Sequence, residues 1–127
     1  MNSSEAAELA DLKVFVVEDE ALVALNLEDM LADLGCVGVV LAMRIEQALD
    51  TIEQGLAADV AILDVNLGGQ PVFPVAERLA ERGTPIVFAT GYGRSGLPSE
   101  WQSRPVLQKP YTMDEVATCL RKARAQA

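Results

Sequence analysis

The 127-residue chain contains no histidine. That absence excludes Ser-His-Asp and Cys-His nucleophile activation, histidine-ligated zinc, and any imidazole acid or base. Cysteine is almost as scarce. Cys36 and Cys119 stand far apart, form no C-x-x-C pair, and suit a cytoplasmic protein with buried thiols better than a disulfide framework. Positive charge is thin, with 10 Lys and Arg against 19 Asp and Glu, a net charge of −9. A uniformly acidic surface disfavours non-specific binding to nucleic acid or to an anionic membrane. No apolar run approaches the roughly 18 residues a membrane span needs. Residues 1–11 are polar and acidic, lack the basic start of a secretory signal, and read as a flexible or short helical extension. Half of the residues are hydrophobic, which excludes disorder and supplies the core of one ordinary domain over residues 1–127.

The charge is unevenly spread. Residues 1–64 carry 14 acids and 2 bases, and residues 65–127 carry 5 acids and 8 bases. One core must serve both halves, so an acidic side and a mildly basic side are expected.

Short apolar runs alternate with amphipathic stretches. Lys13 to Val17, Cys36 to Leu41, Val60 to Leu63, Pro85 to Ala89 and Pro105 to Gln108 read as buried strands. Val23, Leu27, Met30, Leu31 and Leu34 recur at helical spacing and are followed by Gly35. Ile45, Leu49, Ile52 and Leu56 give a second helix, and Pro74 opens a third that runs to Arg82. Thr112 and Glu115 have capping-box spacing ahead of a last helix carrying Val116 and Leu120. Asn66 to Pro71 reads as a loop. Between the fourth and fifth strands, Gly93, Gly96 and Pro98 leave room for only one or two helical turns near Leu97 to Gln102.

Five such strands with intervening helices form a parallel sheet covered on both faces. Right-handed crossovers place every strand's C-terminal end on one edge, where ligands bind. The residues just past the strands there are Glu18 and Asp19, then Asp64, Thr90 and Lys109, with Glu20 opening the first helix. Three acids outnumber one ammonium. Like charges about 4 Å apart repel by roughly 4 kcal/mol at an effective dielectric of 20. Hard oxygens with residual negative charge invite Mg²⁺, whose octahedron water can complete, whereas zinc would want nitrogen or sulfur. A carboxylate beside Mg²⁺ can attack phosphorus, and Asp64, a lone acid on a central strand, is the best nucleophile. Lys109 and Thr90 would neutralise the equatorial oxygens of the transferring group.

Val17-Glu18-Asp19, Leu63-Asp64-Val65-Asn66, Ala89-Thr90-Gly91 and Gln108-Lys109-Pro110 together resemble the receiver domain of bacterial two-component response regulators, over nearly the whole chain. Phe88-Ala89-Thr90-Gly91-Tyr92 further resembles the FATGUY subgroup. The resemblance implies a flavodoxin-like (βα)5 fold with strand order 2-1-3-4-5. It implies that Asp64 accepts a phosphoryl group from the histidine of a sensor kinase or phosphotransfer protein. It implies Mg²⁺ held by Asp19, Asp64 and the Asn66 carbonyl, with Glu18 acting largely through water. It also implies a cis Lys109–Pro110 bond, a self-phosphorylating and slowly self-dephosphorylating signalling protein rather than a turnover enzyme, and a cytoplasmic location.

Two departures bear on regulation. Val106 stands where many receivers carry an aromatic switch, and Tyr92 is the nearby aromatic that could replace it. Gly68-Gly69 replaces the usual proline after the acceptor. Asn66 and Tyr92 flank the path of attacking water and are candidates for tuning the phosphoryl lifetime. The chain ends shortly after its last helix, so a stand-alone receiver that signals by phosphorylation-dependent protein contact is expected. The alternatives are a phosphate sink or a degenerate receiver that binds without being phosphorylated. A haloacid-dehalogenase-like phosphatase would need an acid where Asn66 stands, with its nucleophile on the first strand. A nucleotide- or flavin-binding module would need a glycine-rich phosphate loop where Glu18 and Asp19 stand.

Overall fold

Residues 9–126 are described by a computed structural model; most of the expected N-terminal extension lies outside them. The apolar runs become five strands of one parallel sheet: β1 (Lys13–Val17), β2 (Gly38–Ala42), β3 (Val60–Asp64), β4 (Ile86–Thr90) and β5 (Val106–Gln108). Their order is β2-β1-β3-β4-β5, the flavodoxin-like arrangement expected from the sequence. Every residue of β3 and β4 is buried, as a central parallel strand covered on both faces requires, while β2 at the edge is mostly half-exposed.

The helices are α1 (Ala21–Asp33), α2 (Ile45–Glu53), α3 (Phe73–Glu81) and α4 (Met113–Gln126). Strand side chains alternate between two cores. Val14 and Val16 of β1 and Val60 and Ile62 of β3 meet Leu27 and Leu31 of α1 and Val116 and Leu120 of α4. Phe15 and Val17, with Ala61 and Leu63, meet Ala48 and Ile52 of α2 and Val75 and Leu79 of α3 on the other face. Leu9 is fully buried in the first core.

Local chemistry sets the helix ends. Gly35, at φ +98°, closes α1: its N–H reaches the Ala32 carbonyl and the Cys36 N–H reaches that of Leu31, the Schellman pattern. Thr112 opens α4 with a reciprocal capping box. Its N–H donates to Glu115 Oε1 at 2.8 Å, and the Glu115 N–H donates to Thr112 Oγ1 at 3.2 Å.

Two segments differ from regular βα units. Between β4 and β5 the chain makes only two short 3₁₀ turns, Arg94–Gly96 and Ser99–Trp101. Aromatic packing holds them down: the Trp101 ring lies 5.6 Å from Phe88 and 6.4 Å from Phe73 between centroids. The Arg94 guanidinium adds hydrogen bonds to the carbonyls of Gln102 and Arg104. The stretch expected as a loop after β3 is a small antiparallel hairpin, Asn66–Leu67 against Gln70–Pro71. Gly68 and Gly69, at φ +55° and +87°, form its two-residue turn. Two consecutive positive φ values are what a tight hairpin turn demands and what glycine supplies at least cost.

Candidate functional site

Strand register brings the singled-out side chains together. Val17 pairs with Leu63, so Glu18 and Asp64 end level at the C-terminal edge of the sheet. Asp64 pairs with Ala89, and Thr90 with Gln108, which places Thr90 and Lys109 one step further along. The Lys109 N–H continues the ladder to the Thr90 carbonyl at 2.9 Å. The Lys109–Pro110 peptide is cis.

Glu18, Asp64 and Thr90 are the buried polar side chains among the described residues, at 3%, 7% and 5% exposure. Lys109 Nζ bridges the two acids, 2.9 Å from Glu18 Oε1 and 3.2 Å from Asp64 Oδ2. Two carboxylates share one ammonium, so negative charge stays in excess. Burial, followed by the hydrogen-bonded contact with Asp64, pushes the Glu18 carboxyl up to about 7; the Lys109 ammonium and the Glu20 N–H act in the opposite direction. Burial opposes the charge on Lys109, but its contacts with Glu18 and Asp64 prevail and hold its pKa above the usual lysine value. Burial, then the nearby Glu18 charge, raises the Tyr111 hydroxyl as well.

Strand parity explains which acids meet. Glu18, Asp64 and Lys109 continue the alternation of Val16, Ile62 and Leu107, which face the first core. Asp19 has the parity of Phe15 and Val17 and goes to the other side. There it accepts a hydrogen bond from the Gly68 N–H at 2.9 Å on its Oδ2. Asn66 braces the same loop: its N–H donates to Asp64 Oδ1 at 3.3 Å, and its Oδ1 accepts from the Gly69 N–H at 3.0 Å. Glu18, Asp19 and Glu20 can each bring one carboxylate oxygen within 4.8 Å of the others. The donors are all oxygen, and the carboxylates outnumber the one Lys109 ammonium. That chemistry fits a hard divalent cation such as Mg²⁺ and does not favour zinc.

Tyr92 and Val106, the positions expected to act as switches, differ in exposure. The Tyr92 N–H donates to Thr90 Oγ1 at 3.1 Å, while the Tyr92 ring points outward and is 84% exposed. Val106 is half-buried against the second core. The hairpin contact to Asp19, the approach of Glu20 to the acidic cluster and Tyr111 near Glu18 depend on tertiary neighbours that no sequence motif marks, save that the Gly-Gly dipeptide signals the turn behind the first.

Comparison with known proteins agrees with this geometry. Residues 14–121 match the response regulator receiver domain. The chain is 32% identical over 115 residues to the sensory transduction protein LytT of Bacillus subtilis, covering 87% of this chain and 47% of LytT. It is 30% identical over 117 residues to the positive alginate biosynthesis regulatory protein of Pseudomonas aeruginosa, covering 88% and 47%. The chain thus spans about half the length of the curated relatives it matches. Among solved structures, SdrG of Sphingomonas melonis Fr1 is 49% identical with TM-score 0.73, covering 87% of this chain and 93% of SdrG. The BeF3-activated conformation of SdrG, from Pseudomonas melonis Fr1, is 47% identical with TM-score 0.73, covering 91% and 98%. On this match, and on a sheet that carries Asp64 and Lys109 to one edge, the chain belongs to the response regulator receiver domain family.

Proposed function

We propose that Asp64 is a phosphoacceptor, charged by a phosphohistidine on a sensor kinase or phosphotransfer protein. The contact of Lys109 Nζ with Asp64 Oδ2 carries this reading: a half-buried ammonium stands beside the attacking oxygen. In the transfer an Asp64 oxygen forms the new O–P bond as the partner's P–N bond breaks, and the electron pair leaves with the imidazole. This chain has no histidine of its own to serve as donor. The Lys109 ammonium and the Thr90 hydroxyl hold the equatorial oxygens. Thr90 Oγ1 accepts the Tyr92 N–H while its own O–H is left to donate, which links the chemistry to the Gly91–Gly93 backbone.

Glu18, Asp19, Asp64 and the Asn66 carbonyl would hold Mg²⁺. The ion supplies neutralisation of the carboxylate and phosphoryl charge. The all-oxygen donor set, with the single Lys109 ammonium set against several carboxylates, supports this assignment.

Leu22 and Leu25 of α1, 82% and 56% exposed, support docking of a partner there. Leu22 and Val23 border a concavity of about 390 Å³ with Lys109, Pro110 and Tyr111. The Phe88–Tyr92 segment and the Gly68–Gly69 turn support placement in the FATGUY subgroup.

Incubation with acetyl phosphate and Mg²⁺, followed by intact mass, tests the reading. A gain of one phosphoryl group that Asp64→Asn abolishes is expected. No gain from acetyl phosphate or from phosphorylated kinases would overturn it in favour of a receiver that only binds.

A further inference from the structure

Asp19 sits half-buried at the rim of the site, outside the Lys109 bridge that fixes Glu18 and Asp64. A flexible carboxylate at that place would lose rotamer entropy on meeting a cation, and a ligand that must first be ordered binds weakly. The hairpin after β3 supplies the ordering. Its turn is set by Gly68 and Gly69, both at positive φ, and its base is braced by Asn66, whose Oδ1 takes the Gly69 N–H. This construction points the Gly68 N–H at Asp19 Oδ2 over 2.9 Å, across 49 residues of sequence. A carboxylate has a second oxygen, so one can be held by the amide while the other faces the cation. The amide also compensates part of the local negative charge without occupying a coordination position.

We infer that the Asn66–Pro71 hairpin is a positioning device for Asp19, and that through the Gly68 N–H it sets the affinity of this site for divalent cations. The inference rests on the assignment of Asp19 as a cation ligand. Hydrogen-bonding partners of metal ligands commonly change affinity by about 10- to 100-fold. The bond here is solvent-exposed, so the lower end applies. The hairpin joins the loop that follows the acceptor strand to the loop that follows β1, and so ties Asp64, through the Asn66 N–H, to the same element that orients Asp19.

Calorimetric titration of the full chain with Mg²⁺ alone tests this with two substitutions at one position. Gly68→Pro removes the N–H and locks φ near −65°, which the observed +55° cannot accommodate. Gly68→Asn keeps the N–H and tolerates positive φ; a Cβ there meets Asp19 Oδ2 only at an ordinary 3.9 Å. Gly68→Pro is expected to weaken Mg²⁺ binding about tenfold, and Gly68→Asn to stay within about twofold of the parent. In an Asp19→Ala background, which leaves the Gly68 N–H no acceptor there, Gly68→Pro should add no further loss, because the hairpin acts through that carboxylate. Should Gly68→Pro not fold, Asn66→Ala, which unbraces the turn, takes its place in both backgrounds. Equal Mg²⁺ affinity of a folded hairpin variant and the parent overturns the inference alone, as does an undiminished loss in the Asp19→Ala background. Absence of Mg²⁺ binding by the parent chain overturns instead the cation-site reading beneath it.

Discussion

The Glu18 carboxyl makes the stability of the metal-free protein depend on pH in an unusual direction. Its value rises from 4.5 to about 7 on folding, chiefly through burial and then through Asp64. Between those values the folded chain binds a proton that the unfolded chain has lost. Stability therefore falls as pH rises through the window from about 4.5 to 7, opposite to the trend for a carboxylate stabilised as its anion. A shift of that size corresponds to about 3 kcal/mol, at roughly 1 kcal/mol per pH unit in mid-window. The side chain is only 4% exposed, so solvent screening takes little from it. Urea unfolding in the presence of a chelator, at half-unit intervals from pH 4.5 to 8, measures the slope. Glu18→Gln keeps an acceptor for Lys109 Nζ but cannot titrate, so its curve should lack the decline. Saturating Mg²⁺ should also remove the decline from the parent, because a bound cation holds the carboxylates as anions throughout. Parallel curves for the parent and Glu18→Gln would refute the reasoning.

Trp101 offers a second test. Its ring packs on Phe73 and Phe88, but its Nε1 has no hydrogen-bond partner among the described residues. Trp101→Ala should cost about 3–5 kcal/mol by urea unfolding, whereas Trp101→Phe forfeits no hydrogen bond and should cost clearly less. Equal losses would show that the indole N–H is satisfied after all. Residues 93–103 contain only two 3₁₀ turns, so their amides should exchange fast in the unmodified protein and slow when Asp64 is phosphorylated or carries a beryllofluoride mimic. Unchanged exchange would remove this segment from the signalling path.

How legible the molecule was in its sequence depended on how far each residue's neighbours lie. Runs such as Val60 to Leu63 and Ile86 to Ala89 are apolar at every position, so their place at the sheet centre follows without tertiary information. Gly35 and the Thr112–Glu115 pair act within one turn and were equally readable. The hairpin reads as a loop in the sequence because arms of two residues are too short to show alternation. Trp101 carried no signal of burial, since it sits among Gly, Ser, Pro and Glu and is covered by Phe73, far away in sequence. The convergence of Glu18, Asp64, Thr90 and Lys109 could be anticipated because parallel topology alone puts strand ends on one edge. Which acid meets Lys109 could not, because both Glu18 and Asp19 follow β1 and only the parity of its last residues separates them.

That parity also ties the chemistry to the core. Val14 and Val16 face α1 and α4, Phe15 and Val17 face α2 and α3, and the same alternation delivers Glu18 to Asp64 and Asp19 to the hairpin. A one-residue slip of β3 against β1 would send Val60 and Ile62 to the wrong core and turn Asp64 towards Leu63's neighbours under α3, away from Lys109. It would cost several kcal/mol twice, once in misplaced apolar area and once in a buried carboxylate without its ammonium. The register that packs the two cores best is therefore also the one that assembles the buried acid pair around Lys109, and a sequence change that loosens the former is expected to reach the latter without touching it.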